Sequence, residues 1–129
     1  VAILAALPWL LPCGCAAQRP PRGPIEAVVP AVGTVATGTA SWYGPGYHGK
    51  RTASGERYDQ DALTAAHQNW AFGTRVKVTF LETGRSCVVR INDRFGRHKG
   101  RVIDLSRGAA RAIGLIGPGT GRVRLEVVG

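Results

Sequence analysis

The sequence predicts a mostly β domain, a small closed barrel carrying one short helix. Three observations carry that prediction. Several short runs alternate apolar and polar residues, 18 glycines punctuate the chain, and only one stretch, near residue 106, shows helical spacing between recognisable caps. At 129 residues there is room for one modest domain with a single core.

The chain opens on an apolar run, Val1 to Leu11, with two cysteines and a Pro/Arg/Gly stretch behind it. A membrane span needs about 20 apolar residues, so this run reads as the h-region of a secretory signal covering residues 1–14. Its basic n-region is expected before Val1, because the chain contains no Met. Pro8 and Pro12 argue against a buried helix there. Residues 15–33 hold Pro20, Pro21, Pro24 and Pro30 with little apolar pattern, which reads as an extended tether.

The domain is expected over 34–129. "TVATGTASWYG" supplies strand formers separated by glycines. "RVKVTFL" alternates, with Val76, Val78 and Phe80 on one face, and "ETGR" turns the chain into "SCVVRIN", so the two form a β-hairpin. "RVIDL" is a further strand. In "SRGAARAIG", Ser106 caps a helix that buries Ala109, Ala110 and Ile113 and stops at Gly114. The final strand, "RVRLEVV", points Val123, Leu125 and Val127 inward. Residues 52–67, "TASGERYDQDALTAAH", show neither period yet concentrate three carboxylates, a histidine and a serine.

The motifs "GTASWYG", "HGKRTASGERYD", "LTAAH", "FGTRVKV", "VVRINDR" and "GRVIDLSRGAARAIG", in this order, resemble the rare lipoprotein A (RlpA-like) family over about residues 38 to 128. The resemblance implies a six-stranded double-psi β-barrel with one or two short helices. It also implies a cell-envelope lytic transglycosylase that cleaves the MurNAc to GlcNAc bond of peptide-stripped peptidoglycan strands and leaves 1,6-anhydro ends. Because related barrels loosen polysaccharide without cleaving it, a non-catalytic glycan-binding module is the alternative. "PCGC" resembles a lipobox, with Gly14 before Cys15, so Cys15 is the expected lipidation site. Soluble secretion, or a disulfide from Cys13 or Cys15 to Cys87, is the other reading. Cys87 lies in a strand-like run and reads as a small buried hydrophobe.

Breaking a glycosidic bond calls for a carboxyl group that exchanges protons with the substrate. When the sugar's own 6-hydroxyl attacks, one such group can serve as acid and then as base. Asp93 and Glu56 match the family's functional acids, and His67 matches their polar companion. Asp93 ends an apolar strand, where partial burial would raise its pKa unless Arg90 or Arg94 pulled it down. Ser54 and Arg94 stand beside these acids as candidate substrate-binding residues. Tyr43 and Tyr47 are candidate sugar platforms, Trp42 being the residue that turns inward if only Tyr43 faces out. Asp59 and Asp61 read as turn residues, and Asp104 as support for the barrel or the helix start. The loop "DRFGR" departs from the family's usual DRGP after the acid.

From Thr34 onward 15 Lys and Arg face 7 Asp and Glu, so most of the net charge of +9 belongs to the domain. Such a surface attracts polyanions. Zinc-ligand spacing, a helix-turn-helix pattern and an RNP motif are all absent, which argues against nucleic acid. His48, His67 and His98 form no metal-ligand motif, and no cofactor is expected. The expected partners are peptidoglycan strands and, through the anchor, a membrane. The protein is expected to be a monomer facing the periplasm in a bacterial envelope.

Overall fold

In a computed structural model, which describes residues 27–96 and 98–129, the chain builds a closed barrel of six strands. The signal segment, Cys13, Cys15 and most of the tether lie outside the described residues. Around the barrel the order is β1 (Val35–Trp42), β5 (Arg101–Leu105), β2 (Thr64–Ala66), β4 (Ser86–Asp93), β3 (Arg75–Phe80) and β6 (Gly121–Val127). Two pairs are parallel, β1 with β5 and β2 with β4, and the other pairings are antiparallel.

On the β3, β4 and β6 side the alternation seen in the sequence is realised residue by residue. Val76, Val78, Phe80, Val123, Leu125 and Val127 are all buried, while Arg75, Lys77, Arg122 and Arg124 face water. Register explains how they meet: Val78 lies opposite both Cys87 and Leu125, and Phe80 lies opposite Val123. Each of these large side chains, fully removed from water, contributes about 1.5 to 3 kcal/mol of hydrophobic stabilisation. Gly121 has no side chain because Phe80 occupies the space, its Cε1 atom 2.4 Å from where a Cβ would stand.

The parallel side is less regular. β1 shifts register against β5 between Thr39 and Ala40, and β2 shifts against β4 between Ala65 and Ala66. β2 itself is three buried residues, Thr64, Ala65 and Ala66, inside the stretch that showed no period. The helix, α1 (Arg107–Ile113), follows β5 directly and packs Ala109, Ala110 and Ile113 into the core. Ser106 caps it by accepting from the Ala109 amide, and Gly114 ends it in the left-handed region. Cys87 is half-buried with its thiol over the Ala109 carbonyl, and burial pushes its pKa up.

Two details frame the barrel's ends. Val28 bridges to Trp70, donating to the Asn69 carbonyl at 2.7 Å and accepting from Ala71 at 2.8 Å, so the chain docks on the barrel before β1 begins. Residues 51 to 57 form a closed loop pinned by an Arg51 to Arg57 bridge, with Gly55 at φ 92 where a side chain would be strained. That loop sits against the C-terminal end of β4.

Candidate active site

The site forms where β2 and β4 end beside the antiparallel β5 and its parallel neighbour β1. Ladder partners share a face of the sheet. Ala65 is opposite Leu105 and, across β4, Ile91; all three belong to the core. One step on, Ala66 is opposite Asp104 on one side and Asp93 on the other, and Asp104 is opposite Ser41. Strict alternation from Ile91 would send Asn92 to the outer face and Asp93 into the barrel. The register shift passes over Asn92, so Asp93 comes opposite Ala66 instead. The bulge aims the carboxyl.

Asp93 is ringed by donors. Its Oδ1 accepts from the Ala53 and Arg94 amides, each at 2.8 Å, and its Oδ2 accepts from the Tyr43 hydroxyl. Tyr43 follows β1 and is held by its amide on the Leu105 carbonyl. Its ring stacks on Tyr58 at 4.5 Å and makes a T-shaped pair with Tyr47 at 5.7 Å. Burial, then the bond to Asp93, raises the Tyr43 pKa, so the phenol keeps its proton and donates. One face of Tyr43 is thus taken by Tyr58, whereas Tyr47, half-exposed with Lys50 over its ring, is open to solvent.

Around Asp93 opens a groove of about 520 Å³ lined by Tyr43, Tyr47, Asp93, Arg94, Arg101 and Asp104 among others. Four residues expected from sequence therefore line one groove: Asp93, Tyr43, Tyr47 and Arg94. Glu56, Ser54 and His67 do not line it. Glu56 sits in the adjoining loop with its side chain 44% exposed, accepting from Arg90 at 2.9 Å and from Asn92 at 2.9 Å. Those bonds, Asn92's the larger effect, hold its carboxyl below the usual range, so Glu56 stays ionised. Arg90 is therefore engaged by Glu56. Ser54 hydrogen-bonds Thr52 within the loop and donates its amide to the Asn92 carbonyl at 3.2 Å.

His67 lies just beyond β2 and is buried. Its amide donates to the Asp93 carbonyl at 3.1 Å, and its ring stacks on Trp70 at 4.1 Å. Nδ1 accepts from the Asn69 and Trp70 amides at 3.2 and 3.0 Å, which leaves the proton of the neutral imidazole on Nε2. Burial, then the nearby Arg94 charge, lowers its pKa to about 4. Arg94 itself spans from Phe72, 4.2 Å from the ring centroid, to the His67 carbonyl at 3.4 Å.

From its place in the sequence Asp104 reads as support for the barrel or the helix start. It lines the groove, accepts from Ser41 at 2.9 Å, and has its pKa raised, chiefly by burial. A signal was available: in "RVIDL" the buried residues are Ile103 and Leu105, so Asp104 falls on the outward phase. Beside it the Arg101 Nε is buried without a partner among the described residues. Among the described residues no group of three His, Cys, Asp or Glu is placed to hold a metal ion.

A closed six-stranded barrel with two parallel pairs and a polar groove across its bulged side is a double-psi β-barrel. The sequence profile of the family described as lytic transglycolase matches residues 35–125. The chain belongs to that family, the RlpA-like double-psi barrels. It is 66% identical over 91 residues to a probable endolytic peptidoglycan transglycosylase RlpA of Synechocystis sp., covering 70% of this chain and 28% of that protein. It is 55% identical over 101 residues to the endolytic peptidoglycan transglycosylase RlpA of Campylobacter jejuni, covering 78% of this chain and 37% of that one. The chain thus spans about a third of these relatives' lengths. Among solved structures, the apo expansin of Clavibacter michiganensis superposes with a TM-score of 0.59 at 24% identity, over 74% of this chain and 51% of that one, a likeness of fold.

Proposed function

We propose that this domain is a lytic transglycosylase that cleaves the MurNAc to GlcNAc bond of peptidoglycan strands and leaves 1,6-anhydro-MurNAc ends. The observation that carries the reading is Asp93: a carboxyl held by three donors at the mouth of an open groove, in a chain 66% identical over 91 residues to a protein named for this activity. The attacking 6-hydroxyl belongs to the substrate, so the protein need only exchange protons and hold the strand. Asp93 is the acid/base group. Glu56 is the second essential carboxylate, acting as a fixed anion that ties Asn92 and Arg90 to the loop whose Ala53 amide holds Asp93. His67 supports Asp93 through its amide.

Tyr47 offers a sugar ring its open face, and Arg94, Arg101 and Lys50 favour a strand that carries lactyl carboxylates. Mass spectrometry of products, after incubating the protein with intact and amidase-stripped peptidoglycan, tests the reading. Anhydro-MurNAc ends are expected, more from stripped strands. No product from either substrate, with glycan still bound, would favour the binding module instead.

The same reading places the protein in the bacterial envelope, as a monomer tethered through an acylated Cys15; the support is the apolar run and the "PCGC" motif. Cys15→Ser should move the protein out of the membrane fraction, and retention there would contradict lipidation at that residue.

A further inference from the structure

Protonation of the leaving oxygen and removal of the proton from the 6-hydroxyl are opposite tasks, and the groove contains two carboxyls in opposite surroundings. Asp93 receives hydrogen bonds on both oxygens, two of them from backbone amides. Among the described residues Asp104 receives one, from Ser41. The two flank Ala66, each in register with it on neighbouring strands, and Ala66 places only a methyl group between them. Two ladder spacings separate their Cα atoms by about 10 Å. The edge of a sugar and its glycosidic oxygen fit across that span.

We propose that Asp104 is a second catalytic residue, the carboxyl that gives a proton to the departing glycosidic oxygen while Asp93 takes one from the 6-hydroxyl. This rests on the transglycosylase reading and divides the acid/base role given there to Asp93 alone. In the step, the bond from MurNAc C1 to the glycosidic oxygen breaks and the Asp104 proton goes to that oxygen. The bond from O6 to C1 of the same sugar forms, and the O6 proton goes to Asp93. One proton has moved from Asp104 to Asp93, and exchange with solvent restores both.

The surroundings suit a donor. Burial and the Asp93 charge favour the protonated form of Asp104, while Ser41, Arg101 and His98 favour the ionised one, burial being the largest influence. Lys50, Arg51 and Arg94 also line the groove it faces. A carboxyl that keeps its proton to higher pH than usual matches general acid catalysis in neutral solution. Ser41 to Asp104 is a side-chain bond across β1 and β5, so the donor is positioned by the barrel wall.

Two substrates separate donor from acceptor. On amidase-stripped peptidoglycan, Asp104→Asn should lower formation of anhydro ends about 100-fold or more. On a peptide-free GlcNAc-MurNAc oligosaccharide with 4-nitrophenol at the MurNAc C1, whose leaving group needs no proton, the same variant should keep most of its turnover. Asp93→Asn should lose both. Ser41→Ala removes a bond that favours the ionised form, so it should shift the alkaline limb of the wild-type rate profile to higher pH. This readout does not depend on the Asp104 variant folding. A folded Asp104→Asn protein as active as wild type on glycan, equal losses on both substrates, or an unmoved limb in Ser41→Ala would each overturn the assignment. Wild-type protein that makes no anhydro ends overturns the transglycosylase reading and this division with it.

Discussion

The two sides of the barrel are built on different rules. Where β3, β4 and β6 pair antiparallel, alternation is strict: Val76, Val78, Leu125 and Val127 go in, and Lys77, Arg122 and Arg124 go out. Where β1, β5, β2 and the end of β4 meet, two register shifts interrupt the ladders, and Ser41, Thr64, His67 and Asn92 are buried polar residues. The regular side holds the fold together. The bulged side spends that regularity to turn Asp93 and Asp104 toward one groove, and its buried polar groups, the Arg101 Nε excepted, find partners among the described residues.

That contrast can be tested from both sides. The largest stability effect is expected on the regular side, where Leu125→Ala should cost about 2 to 5 kcal/mol through lost burial and a cavity, read as a lower urea midpoint. A smaller loss under 1 kcal/mol would mean that the core relaxes and that the regular side is not the main support. Next comes Gly108→Ala. Helix propensity alone predicts a gain of about 1 kcal/mol, but the new Cβ would stand 2.6 Å from the Asp61 carbonyl oxygen, so a loss of about 1 to 3 kcal/mol is expected. A gain would show that the 59 to 63 turn yields to the helix.

On the bulged side, His67 gives a pH signature. Its folded-state pKa of about 4 lies below the ordinary value of 6.5, so the unfolded chain binds the extra proton between them. Stability from this residue is complete above pH 6.5 and is lost as the solution is acidified toward pH 4, on the order of 3 kcal/mol. Denaturation of wild type and His67→Gln across that window should show the wild type falling more steeply. Parallel curves would mean that burial and the Arg94 charge do not hold the imidazole neutral. The smallest effect is Tyr43→Phe, which keeps the stacked ring but removes the donor to Asp93. A fall in turnover of about tenfold with little change in melting is expected. Unchanged turnover would show that the bond to Tyr43 is dispensable.

Legibility followed the same divide. The strands from Arg75 to Phe80 and from Gly121 to Val127, the helix and its two caps could be read from spacing because each side chain's fate there depends on its own position in a period. β2 could not, since "TAA" is three small residues buried on both sides with no period to detect. The site was readable as residue types but not as geometry. Asp93 reaches the groove only because the ladder passes over Asn92, and no local pattern announces a register shift. Glu56 reads from sequence as the second carboxylate of the site, but nothing in its loop announces that Arg90 and Asn92 of β4 hold it. Tyr43 looked like a platform and has one face covered by Tyr58, which the intervening loop brings in from 15 residues downstream.

The central claim is that the bulge at the end of β4 turns Asp93 into the group that exchanges protons with a glycan strand. Its most direct test is Asp93→Asn beside wild type on amidase-stripped peptidoglycan, with anhydro ends counted by mass spectrometry, strand binding by sedimentation, and melting as a control. The account predicts that product falls by at least about 100-fold while binding and melting hold. Product at the wild-type level from the folded variant would contradict it.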